Sequence, residues 1–132
     1  IFKKSNKTKI IYCPPSTLIH SMSKKIINSK IQVGAQNCHE SLTYGASTGS
    51  INPMMLKNAG AKYVILGHSE NRESGETDKL INAKIKSATK SGLKVIFCIG
   101  ETLVQKRKKI TKKILSKQIT LGLQKVNKKK IL

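Results

Sequence analysis

Short apolar runs and amphipathic stretches alternate along this chain, and the alternation repeats four times. The apolar runs predict four strands, at residues 9–13, 31–36, 63–67 and 95–99. Between them, apolar residues recur three or four positions apart, which predicts helices within 16–28, 53–59 and 78–91. A repeated order of strand and then helix predicts an α/β fold built on a parallel sheet.

The residues that flank these helices indicate where each should begin and end. Pro53 suits a first helical position, and Gly60 suits a stop. Asp78 is expected to cap the third helix, and Gly92 to end it. One long helix is predicted after residue 102, and its buried stripe is expected to comprise Leu103, Ile110, Ile114, Ile119, Leu123 and Val126.

The strands are continuously apolar, which is typical of parallel sheets that helices cover on both faces. Neither of the common nucleotide-binding loops, G-x-G-x-x-G after the first strand or G-x-x-x-x-G-K-[ST], occurs in the sequence. Four parallel strands also leave two open edges, which natural folds rarely leave uncovered. The pattern therefore predicts part of a (β/α)8 barrel, as one domain over residues 1–132.

The net charge introduces a second class of function. There are 26 lysines and arginines against six acids, giving +20, and such charge favours binding to nucleic acid or an anionic membrane. However, only Arg72 and Arg107 are arginines, and aromatic residues for base stacking are few. Solvated surface lysines are therefore expected, with no nucleic-acid or membrane partner. A basic nucleic-acid-binding protein or a decayed, non-enzymatic half-barrel stays open as the alternative.

The cysteines and the absence of long apolar runs bear on the compartment. No stretch approaches the ~18 apolar residues of a transmembrane helix, and no secretory signal pattern opens the chain. Cys13, Cys38 and Cys98 are an odd number, which argues against a disulfide framework and for a reducing compartment. We expect a soluble, cytoplasmic protein.

Polar residues gather where three of the four predicted strands end, and ligands of α/β folds bind at that edge. These ends read Gln36-Asn37-Cys38-His39, Gly67-His68-Ser69-Glu70 and Gly100-Glu101-Thr102. His68 is the best catalytic candidate, although a structural role is the alternative for a lone histidine. It directly follows a strand, and Ser69-Glu70 can begin a helical turn whose positive end favours a neutral ring. A neutral imidazole can donate a hydrogen bond to a carbonyl oxygen and stabilise an enediolate.

Four segments resemble triosephosphate isomerase, in that family's order and at nearly its spacing. They are Val33-Gly34-Ala35-Gln36-Asn37, Gly45-Ala46-Ser47-Thr48-Gly49, residues 61–70 (AKYVILGHSE) and Cys98-Ile99-Gly100-Glu101-Thr102-Leu103. The resemblance runs from Lys9 to about Val126 and corresponds to the second through fifth βα units of an eight-unit barrel. It implies a partial TIM (β/α)8 barrel that lacks the first strand and the C-terminal part.

The resemblance also implies roles for individual residues. His68 matches the electrophile that polarises the substrate carbonyl, while Ser69 and Glu70 match supporting residues, Glu70 beside the family's catalytic lysine. Cys98 matches a thiol behind the catalytic base, and Thr48 a loop residue that reaches into the partner subunit's active site. The implied enzyme is a homodimer of glycolysis and gluconeogenesis. It interconverts dihydroxyacetone phosphate and glyceraldehyde 3-phosphate through an enediolate, with no cofactor and no metal.

Three parts of the family's site cannot be placed in this sequence: the catalytic lysine, the general-base glutamate and the Gly-Gly phosphate site. The 132-residue chain is therefore predicted to be a fragment that is inactive alone. Glu101 can equally be an acid that favours a helix start. The remaining candidates are given structural interpretations: Cys13 and Cys38 as packed strand-end thiols, and His20 and His39 as surface or loop residues.

The predicted dimer loop departs from the family pattern. The family usually reads Gly-Ala-Phe-Thr-Gly-Glu where this chain has 45–50, so Ser47 replaces the aromatic residue and Ser50 the acid. Asn71 replaces the first of two successive arginines after the histidine. The resemblance implies that this acid and this arginine face each other between subunits. We therefore interpret the loss of both as one coupled change, and we expect a weaker dimer than in the relatives.

Overall fold

Four parallel strands form one sheet, in the order of the chain. The structure is a computed structural model that describes residues 8–132, so the predicted domain of 1–132 includes seven residues outside the described part. The strands are β1 (Ile10–Tyr12), β2 (Ile31–Ala35), β3 (Tyr63–Leu66) and β4 (Lys94–Phe97), and neighbours are paired in the order β1-β2-β3-β4. The predicted parallel α/β architecture is confirmed, with every strand boundary within two residues.

Six α-helices connect or follow these strands in the described residues. They are α1 (Ile19–Lys25), α2 (Pro53–Asn58), α3 (Ser69–Glu73), α4 (Asp78–Ser91), α5 (Leu103–Arg107) and α6 (Thr111–Gly122). A single 3-10 turn, Ser16–Leu18, precedes α1, and another, Lys128–Lys130, follows α6. The first predicted helix therefore begins with a 3-10 turn and ends three residues early.

The helix ends show which capping predictions are correct. Pro53 is the first residue of α2, and the preceding Asn52 side chain accepts a hydrogen bond from a backbone N–H of the first turn. Gly92 ends α4 in the left-handed conformation, with φ 97°, as predicted. The prediction that Asp78 caps α4 is wrong. Thr77 is the cap, because its hydroxyl accepts from the N–H of Leu80 at 3.2 Å, which leaves the carboxylate of Asp78 free for another partner.

The single long helix predicted after residue 102 is also wrong. The chain leaves the helical path between α5 and α6, where Lys109 adopts a left-handed φ of 56°. The break shifts the phase of the predicted stripe, so Leu103 is 62% exposed and Ile119 is 43% exposed. Gln118 and Gly122 lie on the buried face of α6 instead. Gly122 has to be small there, because a Cβ would lie 2.4 Å from Cζ of Phe97.

The core lies between the sheet and its helices. Each fully buried Ile or Leu side chain contributes on the order of 1.5–3 kcal/mol. The most completely buried apolar residues are Ile19, Ala35, Leu56, Tyr63, Val64, Leu66, Ile81, Ile85, Ala88, Leu93 and Val95. Beyond β4, Ile131 bridges Val95 in parallel, and Leu132 donates to the carbonyl of Val95 at 2.8 Å. The core thus fixes β3 and β4, whose carboxyl ends carry the candidate site.

Candidate active site

His68 lies at the carboxyl end of β3, where the strand turns into α3. The turn requires Gly67, because its φ is +79° and a Cβ there would lie 2.7 Å from the carbonyl oxygen of Cys98. His68 is the N-cap residue of α3, and its carbonyl accepts from the N–H of Arg72 at 3.0 Å. Its side chain is 45% exposed. The predicted position of the imidazole at the start of a helical turn is therefore what the structure shows.

Two cavities meet at the His68 side chain. One, of about 490 Å³, opens toward β4 and is lined by His68, Ser69, Cys98 and Glu101 among others. The second, of about 370 Å³, opens toward β1 and β2 and is lined by Cys13, Gln36, Asn37, His68, Glu70 and Asn71. A small polar molecule in either cavity can reach the imidazole, which is a hydrogen-bond donor of the type the candidate chemistry requires.

Ser69 and Glu70 form the first turn of α3 but differ in what they contact. The Glu70 carboxylate lies 3.6 Å from Nδ1 of His68 and is 85% exposed. Such an exposed contact contributes little to stability. Ser69 is exposed and lines the larger cavity. The structure therefore places all three predicted residues together at one helix start.

Gln118 anchors the loop that follows β4. Its side-chain amide donates to the carbonyl of Gly100 at 2.8 Å and accepts from the Gly100 N–H at 2.9 Å, so both polar atoms of a buried side chain are satisfied. Glu101 accepts from the hydroxyl of Thr111 at 3.2 Å. It lies one residue before the Thr102 N-cap of α5 rather than in the helix. Glu101 thus tethers the loop that forms one wall of the larger cavity.

Arg72 joins the ends of β3 and β4 to the start of α4. Its guanidinium donates to the carbonyl of Gly67 at 2.7 Å, to the Asp78 carboxylate at 2.7 Å and to the carbonyl of Cys98 at 3.3 Å. Arg72 and Asp78 side chains are each 17% exposed. Arg72, held by Asp78, forms part of the wall of the larger cavity beside His68.

A buried polar network supports α3 from the opposite side. Lys84 on α4 forms an ion pair with Glu76, and the two side chains are only 9% and 11% exposed. Lys84 also donates to Oδ1 of Asn37 at 3.3 Å, and the Asn37 amide donates to Glu76 at 2.9 Å and to Asn71 at 3.2 Å. Oε2 of Glu76 is buried and has no hydrogen-bond partner among residues 8–132. Through Asn71, this network fixes the helix whose first turn carries His68.

The three thiols differ in burial. All three cysteines are free, and Cys38 is the buried one. Burial raises the pKa of Cys38 to about 12, against lowering by the Lys84 ammonium. Burial also raises the pKa of Cys13 and of Cys98, and the Arg72 guanidinium partly opposes it at Cys98. Cys13 and Cys38 are packed near strand ends, as interpreted from the sequence. Cys13 also lines the smaller of the two His68 cavities, and Cys98 lines the larger one.

The buried thiol of Cys38 should make stability depend on alkaline pH. The unfolded chain keeps the ordinary thiol pKa of 9.0, whereas the folded chain holds its proton up to about 12. Above pH 9 the unfolded state alone releases the proton, so unfolding becomes easier as pH rises. Between pH 8 and 10, the free energy of unfolding of the unsubstituted protein should fall about 1 kcal/mol further than that of Cys38→Ala. Urea unfolding at both pH values measures this, and parallel pH dependences would contradict it.

The segment predicted to reach a partner subunit is an exposed loop. Residues 36–52 run from β2 to α2 without helix or strand, and the loop is closed by a hydrogen bond from the N–H of His39 to the carbonyl of Ile51. Thr48 is exposed near its tip, beside Gly49 with φ +79°. Asn71, the other position in the predicted dimer contact, has its side chain engaged with Asn37 within the chain. Thr48 is thus separate from the His68 cavities of its own chain.

The other two histidines lie away from His68. His20 is exposed on α1. His39 lies at the start of the loop, where Nδ1 accepts from the Ser41 N–H at 3.1 Å and Nε2 lies 3.4 Å from Glu40. Both positions agree with the surface and loop interpretation of these residues.

Two absences hold for residues 8–132. No group of three or more His, Cys, Asp or Glu side chains is arranged to hold a metal ion. No helix in the same range has the length and apolar character needed to cross a membrane.

Sequence reasoning missed three contributors to this site. In the sequence, Arg72 stands out only as one of two arginines and as the residue that follows Asn71 in the predicted dimer contact. Gln118 is a polar position of the long helix that the structure divides into α5 and α6. Lys84 has a usable signal, because it lies in phase with Ile81, Ile85 and Ala88 on the buried face of α4. A lysine at such a position needs a buried partner.

Comparison with known proteins bears on what this site is. The family model for triosephosphate isomerase matches residues 2–132. The triosephosphate isomerase of Carboxydothermus hydrogenoformans is 47% identical over 86% of this chain and 45% of its own length. That of Thermodesulfovibrio yellowstonii is 44% identical over 96% of this chain and 52% of its own length.

A solved structure gives the same result at the level of the fold. The crystal structure of the Bartonella henselae triosephosphate isomerase superposes with a TM-score of 0.87 and 35% identity, over 92% of this chain and 52% of that one. This chain therefore spans about half the length of the relatives it matches, and its sheet is part of a TIM barrel. The family match and these identities show that the chain belongs to the triosephosphate isomerase family.

Proposed function

We propose that the whole protein to which this chain belongs interconverts dihydroxyacetone phosphate and glyceraldehyde 3-phosphate, in glycolysis and gluconeogenesis. The observation that carries the proposal is His68 at the start of α3, facing two cavities at the carboxyl ends of the strands. An imidazole donor at a helix N-terminus is the arrangement known for this family. The reaction transfers a proton between adjacent carbons and needs neither cofactor nor metal.

His68 acts on the carbonyl oxygen of the triose. Its ring N–H donates a hydrogen bond to that oxygen, and the bond strengthens as negative charge develops in the enediolate. Ser69 and Glu70 support this role from the first turn of α3, Glu70 by its carboxylate 3.6 Å from Nδ1. The substrate phosphate and the proton to be removed require groups that no motif of this chain supplies. In this proposal His68 is one of three catalytic groups, and the other two are the catalytic lysine and the general-base glutamate of the whole protein.

Activity measurements test the proposal at two lengths of the protein. The whole protein should isomerise glyceraldehyde 3-phosphate in a coupled assay, whereas residues 1–132 alone should show no turnover above the uncatalysed rate. The reason is that the chain contains no matching general base, and an open sheet admits water, which diverts an enediolate phosphate to elimination. A whole protein without isomerase activity would overturn the proposed function. If residues 1–132 alone show turnover and His68→Ala abolishes it, the proposal that this chain holds only part of the active site is overturned.

We propose that the whole protein is a cytoplasmic homodimer in which Thr48 reaches the partner's site. The exposed position of Thr48 near the tip of its loop supports this. The single change Ser50→Glu should not strengthen the dimer. The single change Asn71→Arg removes the side-chain oxygen that accepts the hydrogen bond from Asn37. Together the two changes should tighten association, because each charge then meets its partner. Sedimentation across concentrations tests this, and a single-chain mass throughout would contradict the dimer.

A further inference from the structure

Arg72 contacts the backbone on both sides of His68. Its side-chain Nε donates to the carbonyl of Gly67 at 2.7 Å, and its own backbone N–H donates to the carbonyl of His68 at 3.0 Å. The Gly67 carbonyl and the His68 N–H belong to one peptide plane, which is rigid. Fixing the oxygen therefore fixes the orientation from which the His68 side chain departs.

Gly67 makes this fixing necessary. A glycine has more backbone freedom than any other residue, and this one stands in the left-handed region with φ +79° directly before His68. A Cβ at Gly67 would lie only 3.0 Å from Nη2 of Arg72, so the guanidinium packs directly against the turn. The turn is thus held by the side chain of Arg72 rather than by substituents of its own.

Asp78 and Cys98 in turn fix the guanidinium. The Asp78 carboxylate accepts from Nη1 at 2.7 Å at the start of α4, and the Cys98 carbonyl accepts from Nη2 at 3.3 Å at the end of β4. The planar guanidinium meets three acceptors in fixed directions, a geometry that a lysine ammonium does not reproduce. One side chain thereby sets the distance between the β3 turn and the β4 end, which face each other across the larger cavity.

We propose that Arg72 is a positioning residue: through Gly67, and held by Asp78, it orients the imidazole of His68 toward the carbonyl of the triose substrate. The inference rests on the proposed isomerase function. Arg72 acts through the backbone and donates no bond to the substrate carbonyl. A displacement of about 1 Å in a catalytic group can lower a rate by about 10²-fold. Arg72 should therefore affect turnover much more than substrate affinity.

The test uses Arg72→Lys in the whole protein, which keeps the positive charge, with Arg107→Lys as its matched control. Arg107, the other arginine of the chain, is exposed on α5. For Arg72→Lys, kcat should fall about 10²-fold while KM changes by less than about threefold. Arg107→Lys should leave both unchanged. The positioning role would be overturned if kcat falls by less than about fivefold, or if KM rises by as large a factor as kcat falls.

A second readout does not depend on isomerase activity. In the substrate-free whole protein, the ¹⁵N and ¹H resonances of the His68 ring should move in Arg72→Lys and stay in place in Arg107→Lys, while those of the exposed His20 stay in place in both. Unmoved His68 resonances would overturn the inference even if kcat falls. The two proposals can also fail separately. If the wild-type protein shows no isomerase activity but Arg72→Lys still moves the His68 resonances, the proposed function is overturned and the positioning of His68 by Arg72 stands.

Discussion

Replacing His68 by alanine in the whole protein should lower kcat for triose phosphate isomerisation by about 10²–10⁴-fold. The imidazole stands at the end of β3 and reaches both cavities, so it is the donor placed to stabilise negative charge on a substrate oxygen. Alanine leaves that oxygen to water, which must reorganise as the charge develops. The loss should appear in kcat more than in KM, because the hydrogen bond strengthens mainly in the transition state. Steady-state kinetics in both directions of the reaction measure it.

The His20→Ala variant is the matched control for His68→Ala. His20 is exposed on α1, away from both cavities, so its loss should leave kcat and KM unchanged. His68 is itself 45% exposed, and its side chain makes no capping hydrogen bond, so alanine should also leave the free energy of unfolding nearly unchanged. A loss of turnover below about tenfold would exclude His68 as the electrophile.

Strands and their order are predictable from this sequence because burial on both faces leaves a strong local signal. The run Tyr63–Leu66 is apolar at every position and is followed at once by Gly67, which the turn requires. His68 follows from the same logic, since the end of a parallel strand is where polar side chains meet ligands. The strand that leads into His68, β3, is thus also among the easiest elements to predict.

The region after β4 is not predictable, since its structure depends on contacts between distant residues. No glycine or proline marks the break between α5 and α6, and Lys109 takes the left-handed conformation despite its steric cost. Gln118 is buried because its amide meets the peptide of Gly100, 18 residues earlier in the chain. The spacing of apolar residues contains neither piece of information. A prediction from that spacing therefore extends one helix across the break between α5 and α6.

Arg72 shows the same limit within the site itself. Its partners are two carbonyls and a carboxylate from three different elements, and the sequence contains no spacing that brings them together. Asp78 illustrates the consequence, because its position suits a helix cap and yet the carboxylate pairs with Arg72 while Thr77 caps α4. Local propensity identifies an acid at a helix start, and the tertiary structure decides what the acid binds.

Removing the ammonium of Lys84 should produce the largest loss of stability among single substitutions near the site. In Lys84→Met, the Glu76 carboxylate stays buried without its cation, and its Oε2 already lacks a hydrogen-bond partner within the described part of the chain. Breaking a buried ion pair from one side costs about 3–5 kcal/mol. The free energy of unfolding of the whole protein in urea should fall by about that amount. The matched control, Lys79→Met on the exposed face of α4, should change it by about 0.5 kcal/mol or less.

The double variant Lys84→Met with Glu76→Gln separates the cost of an unpaired charge from the cost of lost packing. A neutral amide at 76 can still accept from the Asn37 side chain, which keeps its bond to Asn71 and so holds α3 in place. The double variant should therefore regain more than half of the stability that Lys84→Met loses, because no buried charge is left uncompensated. Equal losses in the single and double variants would show that packing, and not the Glu76 charge, sets the cost. A loss below about 1 kcal/mol in Lys84→Met would show that the pair is solvated in solution, and α3 would then depend on Arg72 alone for its orientation.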